Sequence, residues 1–96
     1  MTFPEFKKLC EQDVVPEDLE LTLLALWHDS RDDWEKAHSI IQNVPGREAS
    51  WVHGYLHRKE GDEANASYWY SRAGKTKPAG SLDDEWASIS RSFLGE

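Results

Sequence analysis

Ninety-six residues are enough for one domain with one core. Eighteen acidic against eleven basic side chains give a formal net charge of −7, which repels phosphate backbones and anionic lipid, so neither nucleic acid nor a membrane surface is an expected partner. The lone cysteine, Cys10, excludes an internal disulfide and points to a reducing, cytoplasmic setting; MTFPEFKKLCEQD lacks the apolar core of a signal peptide, and no run reaches the length of a membrane span.

Caps and apolar spacing predict an all-α single domain over residues 1–96, with about six helices and no strand. Thr2 and Glu5 stand at the spacing of a reciprocal cap before Phe6, Leu9 and Cys10, which marks a short first helix. Pro16, Glu17 and Asp18 suit an opening turn, and Leu19, Leu23, Leu24, Leu26 and Trp27 carry a second helix to about Asp29. Asp32 and Glu35 repeat the capping spacing for a third helix with Trp34, Ala37, Ile40 and Ile41, stopped by Pro45 and Gly46.

From Glu48 a fourth helix carries Trp51, Val52, Tyr55 and Leu56 until Gly61 and Asp62; a fifth carries Ala66, Trp69, Tyr70 and Ala73. Tyr68, Trp69 and Tyr70 are consecutive, so at least one ring must lie near the surface. GKTKPAG reads as a loop, and Ser81 with Asp84 caps a last helix bearing Leu82, Trp86, Ile89 and Phe93.

LALWHDSRDDWEKAHSII (24–41) lies over HGYLHRKEGDEANASYWY (53–70) without a gap, at an offset of 29 residues, the separation of His28 and His57. Ala25 pairs with Gly54, Asp33 with Asp62, Ala37 with Ala66 and Ile41 with Tyr70, matching small with small and bulky with bulky. The pattern gives two antiparallel helical hairpins, at about 17–43 and 48–73.

These residues resemble the tetratricopeptide repeat: Gly54, Gly61, Ala66, Tyr70, Ala73 and Pro78 fall on its usual positions, while Ser50 and His53 depart from it. In the first unit Leu24, Ala25, Ala37 and Ile41 are compatible, Asp32 holds the turn glycine position, and the offset is shorter than the family's period of about 34 residues. The chain is also similar to small helical proteins that carry no assigned activity. The resemblance implies stacked hairpins with flanking cap helices and a peptide-binding concave face, here Leu19, Thr22, Leu26 and Asp29, then Glu48, Trp51, Tyr55, Arg58 and Lys59. The expected function is an interaction or assembly module that binds a protein or peptide, or a second copy as a homodimer, through Trp51, Tyr55, Arg58 and Lys59. The same register puts His28 and His57 where the family has an aromatic between the helices of a hairpin, turning His57 inward and His53 outward.

The alternative is a small-molecule or metal-binding protein. His53 and His57 lie four apart on one helix face that Glu60 extends, so two nitrogens and one oxygen could converge on zinc or nickel, although HGYLH lacks the internal glutamate of the zinc protease motif. No sequence motif activates Cys10, Ser71 and Ser88 lack a nucleophile elbow, and DSRDD is a turn and cap rather than a calcium loop. No cofactor is expected, and enzymatic activity enters only with this small-molecule or metal-binding alternative, as an activity that no motif reveals.

Overall fold

Four of the six helices begin where a short polar side chain satisfies a free amide. The Thr2 hydroxyl accepts from the Glu5 amide at 3.2 Å while the Glu5 carboxylate accepts from the Thr2 N–H at 2.7 Å, opening α1 (Phe3–Cys10). Asp33, Asp62 and Ser81 accept from the amides of Lys36, Asn65 and Asp84, starting α3 (Trp34–Ile41), α5 (Glu63–Ala73) and α6 (Leu82–Phe93). α2 (Leu21–Ser30) and α4 (Arg47–Glu60) follow Glu20 and Gly46 without a side-chain cap. The computed structural model describes residues 1–96 and contains no strand.

Two expected boundaries move. The second helix begins at Leu21 and not at Pro16, because Asp18 takes a left-handed backbone conformation (φ 63°) that a helix cannot continue through; Leu19 instead packs on the core from the loop. The cap of α3 is Asp33 and not Asp32, which is itself left-handed (φ 60°) in the turn. Asp32 thus holds the conformation that Gly61 (φ 87°) holds 29 residues later, and the Asp33 and Asp62 amides donate to the His28 and His57 carbonyls at 3.0 and 2.9 Å.

α2 packs along α3 and α4 along α5, each pair joined by a turn of two or three residues, so the helices run as two hairpins. Ala37 and Ala66, fully buried, let the helices of each pair approach. α6 lies against α4 and α2, and α1 closes on α2 and stacks its Phe6 ring on Trp86 of α6 (centroids 5.7 Å apart). Phe6, Leu26, Ile41, Val52, Leu56 and Ile89 form the centre of one core. The large indoles bury area without orphaning their N–H groups: Trp27 donates to the Leu9 carbonyl, Trp34 to Leu56 and Trp86 to Leu26, at 2.7, 2.8 and 3.1 Å. No helix is long and apolar enough to cross a membrane.

Candidate metal site

His53 and His57 stand one turn apart on α4, which brings their rings into a near-parallel stack with centroids 4.9 Å apart. His53 is not turned outward, as the sequence suggested, but is 5% exposed. Its outer face is covered by the Trp69 ring of α5 at 3.9 Å, the closest aromatic stack in the molecule. His57 is buried as expected.

The third histidine comes from α3. Trp34 and His38 are also one turn apart, and their rings stack at 4.9 Å. That stack sets the His38 ring nearly perpendicular to both α4 histidines and places its Nε2 3.1 Å from the Nε2 of His53. Ligand nitrogens of His38, His53 and His57 all lie within 4.8 Å of one another. Burial, reinforced by His57 and His38, pushes His53 down to about 4, and burial followed by His57 also lowers His38. At neutral pH both rings are therefore uncharged, the form that offers a lone pair to a metal.

Glu60 does not join this group. Its carboxylate meets Nδ1 of His57 at 3.0 Å, leaving Nε2 as the nitrogen free for other use. A carboxylate on the far nitrogen of a histidine is the outer-shell arrangement that orients a metal ligand. Asp62 caps α5 and accepts from the Asn65 side chain at 2.8 Å. Of the expected trio His53, His57 and Glu60, the two histidines meet His38 instead, and Glu60 lies on the far nitrogen of His57. Sequence reasoning missed His38, although Trp34, His38 and Ile41 share a face of α3 at spacings of four and three residues.

Trp51, Tyr55, Arg58 and Lys59 do fall along one side of α4, but α6 lies over it. Tyr55 is 2% exposed and donates to Asp29 at 2.7 Å; Lys59 donates to the other oxygen of Asp29 at 2.9 Å. Arg58 pairs with Glu85 at 2.9 Å, not with Asp29, and also reaches the Gly80 carbonyl. Trp51 donates to Glu85 at 3.2 Å and meets Phe93 edge to face. Tyr70 donates to the same buried Glu85 at 2.8 Å, so the face is knitted into the fold. Of the consecutive aromatics, Tyr68 is the exposed one at 53%, with the Arg72 guanidinium over it and over Trp69.

Other candidates are quiet. Cys10 is half-buried in α1, and burial raises its thiol above the ordinary value, which keeps it protonated. No family model, curated protein or solved structure matches the chain.

Proposed function

We propose that this protein binds a transition metal ion of the zinc, nickel or copper class through His38, His53 and His57, in the reducing, cytoplasmic setting that a single protonated thiol suits. The observation that carries the reading is the convergence of three imidazole nitrogens from two helices within 4.8 Å. Nitrogens bound tetrahedrally at 2.0–2.1 Å from an ion are about 3.3 Å apart. The 3.1 Å between His38 and His53, a hydrogen bond in which one Nε2–H donates to the other Nε2, is close to that spacing, and a tautomer shift of the donor ring frees both lone pairs. Trp34 and Trp69 brace the outer faces of His38 and His53, and Glu60 fixes the tautomer of His57, so the rings are held in advance. A peptide-binding role for the α4 face is the weaker reading, because Tyr55 and Arg58 are already consumed by Asp29 and Glu85 under α6.

Calorimetric titration of tag-free protein with zinc tests this. One ion per chain is expected, with His38→Ala, His53→Ala and His57→Ala each abolishing tight binding. Glu60→Gln, which leaves all three ligands, should weaken affinity by about 10- to 100-fold. Wild-type affinity in His38→Ala would refute the three-histidine site.

A further inference from the structure

We infer that the metal centre formed by His38, His53 and His57 is an open site, with one exchangeable position that takes a small anionic ligand through an oxygen or nitrogen atom. The inference rests on the metal-binding reading and adds the class of ligand. Structural zinc sites are closed by four protein ligands, whereas sites that act on a ligand keep three and leave one position free. Here the donors stop at three. Glu60 and Asp62 group with His57 alone, and neither has an oxygen within reach of all three histidine nitrogens. Both are committed, Glu60 to Nδ1 of His57 and Asp62 to the amide and side chain of Asn65. The single thiol, Cys10, borders a different cleft with Phe3, Tyr55 and Trp86.

An imidazole coordinates a metal in its neutral form, so three of them contribute no charge to offset a divalent ion, and the remaining position favours an anion. Of the three rings His38 is the least buried, while His53 and His57 are 5% and 8% exposed. Trp34 stacks on His38 and Trp69 on His53, and this crowding restricts the ligand to a small one.

The test uses the full chain loaded with cobalt(II), whose visible bands are intense in four-coordinate sites and faint in six-coordinate ones, and azide as the probe. The expected result is stoichiometric cobalt with an intense spectrum that azide displaces saturably, and the same displacement by acetate at higher concentration. An intense spectrum indifferent to azide would show a fourth protein ligand and overturn the open position while leaving the metal site standing. A faint six-coordinate spectrum would overturn it too. Failure to bind cobalt would remove both the metal reading and this one. His38→Ala is the control for location: it should lose the intense spectrum, and retention of both the spectrum and its azide response would place the centre elsewhere.

Discussion

Glu85 shows most clearly what a single residue does here. Its buried carboxylate receives Arg58, Trp51 and Tyr70 at once, tying α6 to α4 and α5. Glu85→Ala should therefore lower unfolding free energy by about 3–5 kcal/mol, because it strands a charge and two polar groups that water cannot readily reach. Urea denaturation checks this, and a change below about 1 kcal/mol would mean the network contributes little. The buried tyrosines add a pH dependence. Burial, then the Asp29 charge, raises the Tyr55 hydroxyl above its ordinary value of 10.0; burial, then the hydrogen bond to Glu85, raises Tyr70 likewise. The folded chain holds these protons more tightly than the unfolded one, so their contribution is complete below about pH 10 and is lost as pH rises beyond it. The urea midpoint should fall above that pH, and the fall should be shallower in a Tyr55→Phe, Tyr70→Phe double variant.

At the scale of the helices, the two turns offer a paired experiment. Gly61 is left-handed with nothing within 4 Å of an added Cβ, so Gly61→Ala should cost about 1–2 kcal/mol from backbone strain alone. Asp32 holds the same conformation with a side chain that tolerates it, so Asp32→Gly should stay within about 1 kcal/mol of the parent. Equal effects at both turns would count against this account of them. The Thr2 and Ser81 caps and the break at Gly61 and Asp62 could be read directly from the sequence, because caps and turns act over three or four residues. The start of α2 could not: Pro16, Glu17 and Asp18 look like an opening turn, but Leu19 reaches the core from a loop broken by Asp18. Local signals there were overridden by packing. His53 was misjudged for the same reason, since its exposure depends on Trp69 of α5 and His38 of α3 and not on the periodicity of α4.

On the scale of the whole molecule, the candidate site is a product of hairpin stacking. α3 and α5 flank α4: the three histidines meet only when α3 packs on α4, and α5 adds the Trp69 ring that covers His53. The sequence could place His53, His57 and Glu60 on one face because they share a helix; it could not bring His38 to them, nor lay α6 over Tyr55 and Arg58. Binding that requires the assembled fold must stabilise it: zinc at a hundred times its dissociation constant should add about 2.7 kcal/mol, and none in His38→Ala. The most direct measurement is the position of the ion in crystals grown with zinc, located by its anomalous scattering. The account predicts one peak at about 2.0–2.1 Å from a nitrogen of each of His38, His53 and His57. A peak bound elsewhere, or these three rings unmoved with no peak among them at saturating zinc, would contradict it.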